Sequence, residues 1–350
     1  MSESKILFIL KRRADFDKQK HTTNGLSTGL FNSASFVDDA LKARNLNSNM
    51  AIVVDNNCID REVAKFKPTH VIIEALWVVP PKFTVLAKLH PKVKWIIRLH
   101  SNMPFLSQEG VALDWIGDYV KNPNVLIAAN APEMLEEIRT LVSVMHGFPK
   151  DVLESKIIYL PNCYPQNFSQ RASSLEKTSI DIACFGAIRP LKNHVTQAIG
   201  ALKFAEKVRK KLHFHINTRV ERADPVFKNL QSLFNHVIES GHKLICHPWM
   251  PREEFLEVCT NEIDIGLQVS FSETFNIVGA DLVSLGIPLV ASNELPWSEH
   301  EFNAWPTNSD SICDALVRTF ENPQLNVLKQ QANLAKYASE SERLWVEYFS

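Results

Sequence analysis

FSETFNIVGADLVSLGIPLVAS, residues 271–292, reads as a loop, a helix and a buried strand. Phe271-Ser272-Glu273 closes a loop after the apolar run 263–269. A helix from about Phe275 then carries Ile277, Val278, Ala280, Leu282 and Leu285 at helical spacing. Gly286 ends that helix, and 287–291 is a short apolar strand. On this reading Glu273 lies at the helix mouth and Asp281 about two turns in. The two share nearly the same face, since eight residues advance about 800°. Unpaired backbone N–H groups at the helix start, near Phe275 and Asn276, favour an anion, and the flanking carboxylates suit hydroxyl groups.

The same alternation extends outward from this stretch. Residues 5–10, 50–54, 70–74, 94–99 and 125–129 read as strands, with helical patterns over 26–44, 81–89, 111–120 and 132–144. A second series has strands at 180–185, 212–216, 243–246 and 263–269, separated by helices over 194–210, 225–239 and 252–259. The strands are apolar throughout, as in parallel sheets covered on both faces. The expected fold class is α/β, with two Rossmann-like, doubly wound parallel-sheet domains facing across a cleft at the carboxyl ends of their strands. A polar stretch from Pro161 to Ser179 is the best linker. It gives domains over 1–165 and 166–335, with a C-terminal helix over 336–350 packing back on the first.

Composition narrows the class. Of 350 residues, 45% are hydrophobic and 22% charged, which is globular, and a net charge of −1 argues against coating nucleic acid by bulk charge. The balance is uneven: residues 1–160 carry a net +3 and residues 161–350 a net −4. Six cysteines without a CxxC pair point to a reducing, cytoplasmic setting. The start MSESKILFIL reads as a strand rather than a signal peptide, and no apolar run reaches the length of about 18 residues that a membrane span needs.

A second motif, Phe185-Gly186-Ala187-Ile188-Arg189-Pro190-Leu191-Lys192-Asn193-His194, follows a strand and opens a helix. Gly186 permits a tight turn, while Arg189 and Lys192 bring two cations to the strand's end. Each charge-assisted contact to a phosphate oxygen is worth about 1.5–3 kcal/mol. Together with Glu273 and Asp281, these groups suit a diphosphate-linked sugar.

The two segments resemble retaining, GT4-like glycosyltransferases of the GT-B fold. Glu273 and Asp281 match the family's Glu-x7-Glu signature, with the second acid one methylene short, and Gly286-Ile287-Pro288-Leu289-Val290 matches its Gly-x-Pro-x-Val strand. The resemblance implies that Glu273 contacts the donor sugar and Asp281 the ribose, and that Arg189 and Lys192 hold the donor diphosphate near Gly186, Phe275 and Asn276. His100, in Arg98-Leu99-His100-Ser101-Asn102, is similar to the family's cleft histidine near the reacting carbon, with Arg98 and Asn102 as acceptor-side candidates. Trp249 and Met250 occupy the turn that lies beside the nucleotide base. The loop after the first strand holds Lys11, Arg12, Arg13, Lys18 and Lys20, then Asn24-Gly25, and loosely matches the family's Gly-rich first loop on the acceptor side.

The expected activity is transfer of a sugar from a nucleotide-sugar donor to an acceptor hydroxyl, with retention and no metal or cofactor. The nucleotide-sugar is a co-substrate. The basic loop suggests an anionic acceptor: a phosphate-bearing glycan, a lipid head group or a modified nucleic-acid base. Alternatives are a non-catalytic GT-B-like module that binds nucleotide or sugar, and a sugar-nucleotide epimerase of the same architecture. Asp15-Phe16-Asp17 has metal-binding spacing but lies in a basic loop. His213 and His215 alternate onto one strand face with no acid or cysteine at metal-ligand spacing.

Overall fold

The computed structural model describes residues 4–12, 28–171, 177–218 and 224–350. The chain divides into two compact units, Met1–Pro165 with Ala338–Ser350, and Gln166–Tyr337.

The first unit contains β1 (Lys5–Lys11), α1 (Thr28–Ala43), β2 (Asn47–Val53), α2 (Ile59–Phe66), β3 (His70–Glu74), α3 (Pro80–Leu89), β4 (Lys94–Arg98) and α4 (Met103–Leu106). It continues with α5 (Ala112–Lys121), β5 (Val125–Ala129), α6 (Pro132–His146), α7 (Lys150–Lys156) and β6 (Ile157–Tyr159). Its six strands are all parallel, in the order β2-β1-β3-β4-β5-β6. The strands are apolar because both faces are covered. Leu7 and Ile9 join one core with Val63, Phe83 and Ile116, while Ile6, Phe8 and Leu10 join another with Ala34, Val37 and Leu41. Helices α2, α4 and α7 have no counterpart in the sequence reading. They are short, and α2 buries only Ile59 and Val63, too few positions to show a period.

The second unit contains β7 (Ser179–Ala183), α8 (His194–Lys207), β8 (Lys211–Asn217), α9 (Pro225–Val237), β9 (Lys243–His247), α10 (Arg252–Glu262), β10 (Ile265–Gln268), α11 (Ile277–Ser284), β11 (Leu289–Ala291), α12 (Ser309–Glu321) and α13 (Pro323–Phe349). The five strands are parallel in the order β11-β10-β7-β8-β9. α13 is one continuous helix over Pro323–Phe349. It runs on into the first unit, where Trp345 and Phe349 join the core of Ile6, Phe8 and Leu10. One face of the second sheet packs Ile180, Ile182, Phe214 and Ile216 against Phe204 and Leu316. The opposite face departs from the expected apolar pattern, since Asp181, His213 and His215 alternate with those residues. Among the described residues, no helix is long and apolar enough to cross a membrane.

Both strand orders reverse direction once. The carboxyl ends of the strands on either side of such a point diverge and leave a crevice. In the first unit the reversal lies between β1 and β3, and in the second between β7 and β10.

Candidate functional site

The loops that follow β7 and β10 meet at the second unit's reversal point. After β7 the chain turns at Gly186, whose φ of 118° lies in the region that favours glycine, and its N–H donates to Asn217 Oδ1 at 3.1 Å. A 3₁₀ turn over Pro190–Lys192 then leads into α8. The loop is clamped to its neighbour: Phe271 N–H donates to Leu191 O at 2.9 Å, and Asn193 Nδ2 donates to Val269 O at 3.0 Å. This clamp brings the Lys192 ammonium into direct contact with Glu273 Oε1. The same carboxylate oxygen accepts from Ser270 Oγ and Asn276 Nδ2, both at 2.8 Å. Asn276 Nδ2 also donates to Gln268 Oε1 at 2.9 Å, and Gln268 Nε2 to Phe185 O at 3.1 Å, so one network spans both loops. Glu273 is 9% exposed and Lys192 partly exposed. Lys192 is thus the ion-pair partner of Glu273 as well as a cation in the loop after β7. Arg189 lies in the same loop with extended backbone and is half-buried.

Beside Lys192, both ring nitrogens of His194 are buried with no hydrogen-bond partner among the described residues. Burial, aided by the Lys192 charge and opposed by Asp224, pushes its pKa down to about 4, so the ring is neutral near pH 7.

The helix begins later than its periodicity suggests. Asn276 caps α11 from the left-handed region, φ 64°, with Oδ1 accepting from Gly279 N–H at 2.8 Å. Glu273 therefore precedes the helix, and the rotation that would place it on one face with Asp281 does not apply. Asp281 is inside α11, 2% exposed, and accepts from Arg252 Nη2 at 2.6 Å. Phe275 is a core residue: its ring packs on Trp297 and Tyr337, and its carbonyl accepts from Trp297 Nε1 at 2.7 Å. Trp249 and Met250 are half-buried in the turn between β9 and α10.

The first unit gathers a different group at the carboxyl ends of β3 and β4. Glu74 is fully buried and accepts from Arg98 Nη1 at 3.2 and 3.3 Å, and its Oε2 meets His100 Nε2. Burial pushes the Glu74 carboxyl up, but Arg98 and His100 together hold it below its ordinary value. Burial pushes His100 down, against the pull of Glu74. Glu74 is then the anion and His100 a neutral ring that donates from Nε2. Arg98 does not serve the acceptor side, because its side chain is fully buried. It donates from Nη2 to Asn162 Oδ1 at 2.6 Å and Pro161 O at 3.1 Å, from Nε to Leu160 O at 3.2 Å, and lies 5.1 Å from the Trp345 ring. Asn102 caps α4 through its carbonyl, which accepts from Phe105 and Leu106 N–H groups. Lys11 is exposed at the end of β1 and Arg12 follows it half-buried. Arg13, Asn24 and Gly25 lie outside the described residues, as do Asp15 and Asp17.

Three groups were not singled out from sequence. Glu74 could have been flagged as an acid ending a buried parallel strand. Ser270 and Arg252 gave no signal, since their partners come from other segments.

His213 and His215 do have an acidic partner, supplied by the neighbouring strand. Asp181 Oδ1 lies 3.0 Å from His213 Nδ1 and 3.0 Å from His215 Nε2. His215 Nδ1 lies 2.9 Å from His247 Nε2.

No protein-family model and no curated protein matches the chain. Solved structures do match at the level of fold. Sucrose-phosphate synthase from Thermosynechococcus elongatus is 11% identical, with 99% of each chain covered and a TM-score of 0.68. A UDP-forming α,α-trehalose-phosphate synthase from Burkholderia vietnamiensis is 12% identical, with 99% of this chain and 97% of that chain covered and a TM-score of 0.70. HepE from Anabaena, solved with UDP and glucose, is 14% identical over 99% of each chain, with a TM-score of 0.65. The two parallel-sheet units have the GT-B architecture of these neighbours.

Proposed function

We propose that this chain is a retaining glycosyltransferase that moves a sugar from a nucleotide-sugar, most simply a UDP-sugar, to an acceptor hydroxyl. The observation that carries the reading is the contact between Lys192 and Glu273, which joins two segments 81 residues apart at the β7/β10 reversal point. Two neighbours, one named as UDP-forming and one solved with UDP and glucose, support the choice of donor.

In this mechanism Lys192 and Arg189 bind the donor diphosphate. Negative charge grows on the diphosphate as the glycosidic bond breaks, so fixed cations stabilise the transition state more than the bound donor. This places charge stabilisation on side chains, without a metal. Glu273 orients the sugar through its hydroxyls. Lys192, Ser270 and Asn276 already converge on that carboxylate, and neutralisation by Lys192 makes it a weak nucleophile. Displacement on the same face of the sugar therefore suits the site better than a covalent glycosyl intermediate. Asp281, held by Arg252, meets the ribose. In the first unit, His100, neutral and oriented by Glu74, is a polar group able to hydrogen-bond a sugar hydroxyl. The exposed Lys11 and neighbouring Arg12 favour an anionic acceptor.

The test is a thermal-shift screen over UDP-, GDP-, ADP- and TDP-sugars, followed by assay of nucleoside diphosphate release and of the product anomer. The expected result is stabilisation by a UDP-sugar, of about 2.7 kcal/mol at 100 times Kd, and a product with the donor's anomeric configuration. No shift with any donor would refute the reading, and epimerised donor without diphosphate release would replace it. For the acceptor, KM should rise with salt and the rise should weaken when Lys11 and Arg12 are both changed to Ala. A salt-independent KM removes the anionic acceptor.

A further inference from the structure

The second sheet carries a cluster that the transfer chemistry does not use. His215 on β8, His247 at the end of β9 and Glu262 at the end of α10 bring one ligand-type atom each within 4.8 Å of one another. His215 Nδ1 and His247 Nε2 are 2.9 Å apart, and Glu262 Oε2 lies 3.8 Å and 4.0 Å from them. A point equidistant from three atoms so spaced lies about 2.1 Å from each, the bond length zinc makes to imidazole nitrogen and carboxylate oxygen.

The surroundings match what such a site requires. Asp181 accepts from His215 Nε2, the nitrogen that faces away from the cluster, which leaves Nδ1 directed at His247 and Glu262. A carboxylate behind a ligating histidine is the usual means of fixing tautomer and ring angle. Phe185 packs edge-on against both rings, with centroids at 6.5 and 5.4 Å, and further limits their rotation. Both histidines are buried, while Glu262 is about half exposed, so the open side faces solvent and admits a water as a further ligand.

We infer that His215, His247 and Glu262 form a site for a divalent first-row transition ion, zinc by preference, with Asp181 orienting His215. Two imidazoles and one carboxylate suit zinc better than calcium or magnesium, which take all-oxygen shells. The ion ties β8, β9 and α10 together beside Asn217, which pairs with His247 and holds Gly186. Its role is structural support of the second unit. It is independent of the transferase reading, since binding is measured without donor or acceptor.

The experiment is calorimetric titration of Zn²⁺ into the full chain after treatment with a chelator, with Co²⁺ absorption as a report of coordination geometry. One equivalent should bind, with visible Co²⁺ bands of a four-coordinate site and a rise in Tm. Glu262→Gln, on an exposed side chain and so safe for folding, should weaken binding at least tenfold. His247→Ala should abolish it, Asp181→Asn should weaken it about 10–100-fold, and His236→Ala, on an exposed histidine of α9, should leave it unchanged. Absence of one-equivalent binding overturns the inference. So does equal affinity in the wild type, Glu262→Gln and His247→Ala.

Discussion

Lys192 is the cation paired with the nearly buried Glu273 carboxylate, so removing it exposes two roles at once. Lys192→Ala should lower turnover by about 10²–10³, the loss expected for one oriented charge-stabilising group. It should also cost about 1–3 kcal/mol of stability, because a nearly buried carboxylate loses its counter-ion. Glu273→Gln keeps the hydrogen bonds from Ser270 and Asn276 possible, so it should be less destabilising yet comparably inactive. Urea denaturation beside donor turnover separates the effects, and a Lys192→Ala protein of unchanged stability would argue against the pair. His194 gives a pH dependence. Its folded pKa of about 4 lies below the unfolded value of 6.5, so the unfolded chain takes up the proton first as pH falls. The neutral ring's contribution is full above about pH 6.5 and is lost progressively down to about pH 4. Between pH 7 and pH 5 the loss should be about 2 kcal/mol. His194→Leu should flatten that part of the profile, and an equally steep variant would assign the dependence to another group.

At the scale of elements, α11 is set by its two ends. Asn276 starts it from the left-handed region, and Gly286 closes it at φ 76°. A Cβ on Gly286 would come within 2.9 Å of Ser169 O and Arg171 N, both backbone atoms that cannot swing away as a side chain can. Gly147, which ends α6 at φ 66°, would meet nothing within 4 Å. The two positions thus share a backbone conformation and differ in space. Gly147→Ala should cost about 1–2 kcal/mol, and Gly286→Ala roughly 2–4 kcal/mol, since it adds a steric term. Thermal or urea unfolding of both variants gives the comparison. If Gly147→Ala were the costlier change, the packing of residues 169–171 against the end of α11 would not be what limits this position.

At the scale of the molecule, the last turns of α13 complete a core that begins at residue 5. Trp345 is fully buried, stacks on Phe349 with centroids at 5.9 Å, lies 5.9 Å from Phe8, and donates from Nε1 to Pro161 O at 2.7 Å. Trp345→Ala should cost about 3–5 kcal/mol, from the lost burial and the cavity left behind. Hydrogen exchange should quicken in β1, β3 and β4 of the first unit while β7 and β8 of the second stay protected. Equal quickening in both sheets would mean that the effect is not confined to this core.

How much was legible follows from the range of each interaction. Periodicity is a local property, and it was enough for the alternation of strand and helix, for parallel sheets covered on both faces, and for the loop–helix–strand at 271–292. The same locality misplaced the start of α11, because a left-handed cap at Asn276 has no period. It also hid α2, α4 and α7, which are too short to show one. The pairs that make the sites were out of reach for a different reason. Lys192 meets Glu273, Glu74 meets Arg98 and His100, and Asp181 meets His215 because parallel strands lie in a particular order and register. That register is set by how helices pack between the strands, so residues far apart in the chain become neighbours with no mark in either segment. Arg98 shows the difference most clearly. A cation beside a candidate histidine reads as a ligand contact along the chain, but in the folded unit it is buried and saturated by Glu74, Asn162 and backbone carbonyls.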